Sequence, residues 1–351
     1  MSKEQNLIEL FEQKVNLSKG MSNDELIQKL QRFISNYQQH TRPPRPAQDL
    51  YSVMEEVVET LSKGNSEYKA IPTGFQNYDI NNGGLIPGEL FLIGGRPSMG
   101  KTQLLVQLAI NTSVHVPVLF CTLDNTKDLL AQRFISNKAD ISGGDLLLYR
   151  LRAHEKTLVK NAITSMQERT IIISDENNSS IDQLLKHWEV ILQERQIKVM
   201  FIDYIQLLGG ALQSKYRHQE LSYISQRLKK FAQQHKIALI VASQLSRNVE
   251  ARGGCRIPNL SDLSESGALE QDADKVAFIY RPEYYGLTED EFGPTENIVH
   301  LVIAKNRSGK TDTLLFKKTP NFNRIHELYE ANMNFREGSR FSEFDNDIDP
   351  F

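Results

Sequence analysis

The chain has 351 residues, 40% hydrophobic and 24% charged, enough for one large or two ordinary domains with a packed core, which excludes disorder throughout. Its two cysteines, Cys121 and Cys255, are too few and too far apart for a disulfide framework or a zinc cluster, which predicts a reducing compartment. The first residues lack the basic-then-apolar signature of a signal peptide, and the apolar runs fall far short of the ~20 residues of a membrane span. The expectation is a soluble cytoplasmic protein without a membrane partner. Residues 336–351 carry five acids against two bases and so hold the whole formal charge of −3. The body before them is neutral, so any nucleic-acid binding has to come from local basic loops rather than from a global positive field.

In chain order, a short helix is predicted over residues 4–17, and Ser22-Asn23-Asp24-Glu25 is a capping-box pattern ahead of apolar residues at three-to-four spacing. Together they make a small helical N-terminal segment, residues 1–40. The run Thr41-Arg42-Pro43-Pro44-Arg45-Pro46 cannot continue a helix, because its prolines remove donors and fix the backbone. It opens a linker, residues 41–70, that also holds a helix over 47–63. Leu50, Val53, Met54, Val57 and Leu61 form that helix's single apolar stripe, which needs a partner surface. From Ile71 short apolar runs alternate with helical segments: Leu90 to Ile93, Val118 to Leu123, Thr170 to Ile173, Val199 to Ile202 and Ala238 to Ala242. That alternation predicts an α/β domain over residues 71–330 around a mostly parallel buried sheet. Residues 275–280, 298–304 and 312–316 add strands, the last two forming a hairpin across residues 306–310. Residues 331–351 are expected to be an acidic, disordered tail.

Gly95-Arg96-Pro97-Ser98-Met99-Gly100-Lys101-Thr102 follows a strand and precedes a helix. In that context glycines let backbone N–H groups curl around phosphates, and the helix adds its positive end. Lys101 reaches the terminal phosphates and the Thr102 hydroxyl can ligate magnesium. A hydrolysing site also needs an acid at the end of another buried strand to hold the hydrated metal, and Asp203, closing Val199 to Ile202, fits. An aspartate there is also an ordinary cap or turn former. Asp124, after Val118 to Leu123, is the candidate for orienting the attacking water, although Asp124-Asn125-Thr126 is equally a good helix start.

With the phosphate loop, Ile202-Asp203-Tyr204-Ile205-Gln206-Leu207, Ser243-Gln244-Leu245-Ser246-Arg247 and Glu265-Ser266-Gly267-Ala268-Leu269-Glu270-Gln271-Asp272-Ala273-Asp274 in this order, the chain resembles the RecA-like motor domain of DnaB-type replicative helicases. The likeness runs from Ile71 to about Leu328, roughly three quarters of the chain. It implies a P-loop ATPase that uses ATP and Mg2+. It also implies a hexameric ring around single-stranded DNA that moves 5′ to 3′ and unwinds duplex during DNA replication, with each nucleotide between neighbouring subunits. Lys101, Thr102 and Asp203 keep the roles already derived. Arg133 matches the family's in-subunit phosphate-contacting arginine, and Gln244 matches the residue that senses nucleotide state. Lys305 and Arg307 match the pair reaching into the adjacent subunit, a supply in trans that makes hydrolysis depend on assembly. As residues alone they read as a solvated charge pair at a hairpin tip. Glu265, Ser266, Gly267 and Arg247 stand where the family binds DNA, with Lys215, Arg217, Arg252 and Arg256 as further loop charges.

Three departures from the family matter. Asp124 stands where glutamate is usual, one methylene shorter, and ~1 Å of misplacement can cost on the order of 100-fold in rate. Ser264 replaces an arginine before Glu265. About 46 residues precede Ala47, where the family carries a helical collar of ~100 or more residues, so the collar is expected to be truncated or replaced. These departures keep a second function open, a RecA-like ATPase acting as a nucleotide switch or recombination or regulatory assembly without unwinding. Finally, residues 341–351 alternate acids with aromatics and end on Phe351, resembling the acidic tip of bacterial single-strand DNA-binding proteins that docks into replisome and repair partners. A plain solvated tail fits the same residues.

Overall fold

The computed structural model describes residues 49–63, 70–176, 179–209, 217–252, 256–263 and 267–328. The chain divides into two compact units, residues 1–66 and 67–351. The helices expected over 4–17 and 22–37, the proline run and the tail lie outside the described residues. So do Lys215, Ser264, Glu265 and Ser266.

Of the first unit, helix α1 (Leu50–Lys63) is described. Asp49 caps it, accepting the Ser52 N–H at 3.1 Å. Of the stripe, Leu50, Met54 and Val57 are exposed, as is Tyr51 beside it, and Val53 is half-buried.

In the second unit the elements run α2 (Gln76–Asn82), β1 (Leu90–Gly95), α3 (Lys101–Thr112), β2 (Val118–Thr122), α4 (Lys127–Ala139), α5 (Gly143–Leu147), α6 (Ala153–Met166), β3 (Ile171–Ser174), α7 (Ile181–Arg195) and β4 (Val199–Asp203). After β4 come α8 (Arg217–His235), β5 (Ala238–Gln244), α9 (Asn248–Ala251), α10 (Gly267–Asp272), β6 (Lys275–Tyr280), β7 (Glu289–Asp290), β8 (Gly293–Pro294), β9 (Ile298–Asn306), β10 (Asp312–Lys318) and β11 (Ile325–Glu327). Nine strands form one sheet in the order β11-β10-β9-β6-β1-β5-β4-β2-β3. The six from β6 to β3 are parallel and β9 to β11 extend the edge antiparallel. The five apolar runs read as strands are parallel strands, all buried except the half-buried edge strand β3, and the turn between β9 and β10 falls at residues 307–311.

Every residue of β1, β2, β4 and β6 is buried, as strands covered on both faces require. One face packs Ile93, Phe120, Phe201 and Ile240 under α3 and α4; the other packs Leu92, Leu119, Met200 and Val241 under α7 and α8, with Trp188 at the centre. Among the described residues no helix is long and apolar enough to cross a membrane.

Candidate functional site

The chain leaves β1 for β2 by way of α3, and β5 and β4 lie between those two strands in the sheet. That switch in strand order opens a crevice beyond the carboxyl ends of the parallel strands, the place where α/β sheets bind ligands. Gly95 ends β1 and is paired in register with Gln244 at the end of β5. Asp203 ends β4 opposite Thr122 of β2, and the Leu123 N–H donates to the Asp203 carbonyl at 2.9 Å. Residues far apart in sequence therefore meet because each ends a strand of one sheet.

Between β1 and α3 the chain turns through Ser98 and Gly100, both at positive φ (65° and 102°). At Gly100 a side chain is excluded twice, by that backbone angle and by the Phe322 ring lying against the position of its missing Cβ. Lys101 folds its ammonium back into the turn, donating to the carbonyls of Gly95 at 2.7 Å and Arg96 at 3.1 Å. Burial pulls its pKa down to about 8, Asp203 works against that shift and Arg96 adds to it. The Thr102 hydroxyl donates to Asp203 Oδ2 at 2.6 Å. Burial pushes the Asp203 carboxyl up, Thr102, Lys101 and Arg133 hold it down, and Asp124 adds to the rise. Hydroxyl and carboxylate together offer hard oxygen atoms, the donor type a magnesium ion takes beside phosphates.

The alternatives left open by the sequence are narrowed by what each residue touches. Thr126, not Asp124, caps α4, its side chain accepting from the Leu129 N–H, which leaves Asp124 exposed beyond β2. Asp203 lies at a strand end with its carboxylate facing Thr102. Lys305 is half-buried and Arg307 is exposed, and both are hydrogen-bonded within the chain. Lys305 donates to the Glu270 carbonyl at 2.6 Å, and Arg307 donates to the Gln271 carbonyl at 2.7 Å and to Asp274 Oδ1 at 3.2 Å. Carbonyls at the end of α10 are a natural seat for cations.

Gln206, quoted in the motif without a role, clamps Gln244. Its Nε2 donates to Ser243 Oγ at 3.0 Å and to the Gln244 carbonyl at 3.2 Å, while its Oε1 accepts the Gln244 N–H at 3.0 Å. Two residues had no sequence signal. The Arg281 guanidinium lies 4.6 Å from the Phe322 ring centroid and donates to the Ser98 carbonyl at 3.1 Å, so a cation and an aromatic ring stand beside the phosphate loop. Beyond β5, Arg96, Arg217, Arg247 and Gln244 line a polar groove of about 640 Å³. Arg247 there is exposed, whereas three other expected loop charges are engaged within the chain. Arg217 bonds Gln206 and Glu220, Arg252 pairs with buried Asp262, and Arg256 lies over the Tyr285 ring. Gly267 opens α10.

A model of the family described as the DnaB-like helicase C terminal domain matches residues 70–327. The replicative DNA helicase DnaB of Geobacillus stearothermophilus is 32% identical over 274 residues, which cover 77% of this chain and 59% of that protein; the chain thus spans under two thirds of this relative's length. Among solved structures, one described as an ATPase domain superposes with a TM-score of 0.74 at 30% identity, covering 81% of this chain and all of that one. A DnaB-like replicative helicase, solved in a study of its interactions with primase, superposes with a TM-score of 0.79 at 27% identity over 93% of this chain and 76% of that one.

Proposed function

Since the chain belongs to the family of DnaB-like helicase C-terminal domains, we propose that it is an ATP-driven DNA helicase that forms a hexameric ring, moves 5′ to 3′ on single-stranded DNA and unwinds duplex during replication. The observation that carries this reading is the meeting of Lys101, Thr102, Asp203 and Gln244 at the ends of β1, β4 and β5. Nucleotide phosphates enter the turn of residues 95–102, and Lys101 exchanges its two carbonyl partners for phosphate oxygens. Thr102 and Asp203 would hold Mg2+, which would supply positive charge against the phosphates. Arg133 adds a cation from α4, Asp124 orients the attacking water, and Arg281 with Phe322 flanks the base of the nucleotide.

Two elements of the reading need a second copy of the chain. Lys305 and Arg307 act on the neighbour's nucleotide, where an arginine supplied in trans is worth about 10³-fold or more. The exposed stripe of α1 docks on the neighbour's α5 and α6, which expose Leu147, Leu148, Leu158 and Ile163. Glu265, Ser266, Gly267 and Arg247 contact DNA, and the acidic residues 341–351 bind a replisome protein. The deciding experiment is strand displacement on a forked duplex with a 5′ tail, run beside ATPase with and without single-stranded DNA. ATP-dependent unwinding is expected. Robust ATPase with neither unwinding nor stimulation by DNA would refute the helicase reading.

A further inference from the structure

Arg96, the second residue of the phosphate loop, is 6% exposed, and its side chain is directed to the segment that leaves β5. Its Nε donates to Glu250 Oε1 at 2.9 Å and its NH1 to the Leu245 carbonyl at 2.9 Å. Its own carbonyl accepts from Lys101 Nζ at 3.1 Å and from the Met99 N–H at 3.3 Å. One residue thus bonds the phosphate lysine through its main chain and the outgoing segment through its side chain.

That segment is held as a unit. Leu245 is fixed at both main-chain groups, its N–H donating to the Gly95 carbonyl at 3.4 Å and its carbonyl accepting from Arg96. Ser246 N–H donates to the Asp262 carbonyl at 3.0 Å, and Arg252 closes onto the Asp262 carboxylate and toward the Ile257 carbonyl. Arg247, Asn248 and Ser261 of this unit line the polar groove together with Arg96. The guanidinium holds the Glu250 carboxyl below its ordinary range, as a charge-assisted bond should.

We propose that Arg96 is a positioning residue, a strut that carries nucleotide occupancy of the phosphate loop to groove-lining residues within 245–252 and 256–263 through the Leu245 carbonyl and Glu250. This rests on the ATP-driven DNA-binding reading above and adds a link parallel to Gln244, whose own main chain is clamped by Gln206. When Lys101 leaves the Arg96 carbonyl for phosphate, the loop is rearranged at the residue whose side chain grips Leu245. Any shift of Arg96 then moves α9 and the exposed Arg247 before it.

The test uses the full chain and the anisotropy of a labelled oligo-dT with and without a non-hydrolysable ATP analogue. The ratio of the two affinities measures the coupling, and the same ratio must appear when analogue affinity is measured with and without DNA. Glu250→Ala is expected to keep the wild-type analogue affinity in the absence of DNA and to shrink the ratio about fivefold or more. Glu250→Gln, which can still accept from Nε, should retain most of the ratio, and Arg96→Lys, which cannot reach both partners, should lose it. A thermal unfolding curve for each variant separates lost coupling from lost fold. If wild type and Glu250→Ala couple equally, the strut is overturned while the motor reading stands. If wild type binds neither analogue nor DNA, the motor reading fails and the strut with it.

Discussion

Lys101 is a cation held in a place that disfavours its charge until a phosphate arrives. Its pKa of about 8 against an ordinary 10.5 means that the unfolded chain binds more protons than the folded one between those two values, so stability of the free protein should rise with pH across that window. Nucleotide binding runs the other way, because phosphate oxygens favour the protonated amine. Affinity for an ATP analogue is therefore expected to be flat below about pH 8 and to fall by up to about tenfold per pH unit above it. Isothermal titrations from pH 7 to 9 would show this, with Lys101→Arg removing the dependence. Asp124 has a sharper expectation. Restoring the missing methylene with Asp124→Glu should raise the hydrolysis rate by about tenfold or more, whereas Asp124→Asn should nearly abolish it while sparing nucleotide binding. That Lys101, Thr102 and Asp203 lie together was legible in the sequence, because a phosphate-loop pattern after one strand and an acid closing another fix their places at strand ends. The roles of Arg96 and Phe322 were not, since each depends on a contact more than 140 residues away.

At the scale of elements, buried parallel strands wrote themselves as unbroken apolar runs, whereas β7, β8 and β11, of two or three residues each, are too short to show a period. Helix α1 was equally legible, because its apolar residues recur at helical spacing. Met54→Asp with Val57→Asp should leave the circular dichroism spectrum unchanged and convert rings into smaller species by light scattering. DNA-stimulated ATPase should fall with ring content. An unchanged mass would mean that α1 does not hold subunits together. The surface proposed to receive it, around α5 and α6, had no such signature: Leu147, Leu148 and Tyr149 are consecutive in sequence, and a three-residue run does not tell core from surface. Only their exposure, 89% at Tyr149, separates the two.

For the whole molecule, the proposed division of labour between copies gives a complementation test. Subunits with Lys101→Ala keep an intact Arg307, and subunits with Arg307→Ala keep an intact phosphate loop. Each variant alone should be nearly inactive. Mixed in equal amounts under conditions that let rings reassemble, they should recover about a quarter of wild-type ATPase if partners mix at random and sites act independently. Recovery at or below the level of the separate variants would place Arg307 outside the neighbour's site.

The bonds that Lys305 and Arg307 make to the end of α10 set the terms of that exchange. Arg307 rests on the Gln271 carbonyl and Asp274; in the proposed role it would give up these two acceptors to gain phosphate oxygens, a swap between comparable hosts. A motor that must release its fuel's remnants on every cycle benefits from a nearly level swap. Remove the home berth and the arginine would linger on the spent nucleotide; strengthen it and the arginine would never leave. Under the proposed role in trans, the resting partners of Arg307 would act as a timing element, their strength setting how long a neighbouring pair stays committed.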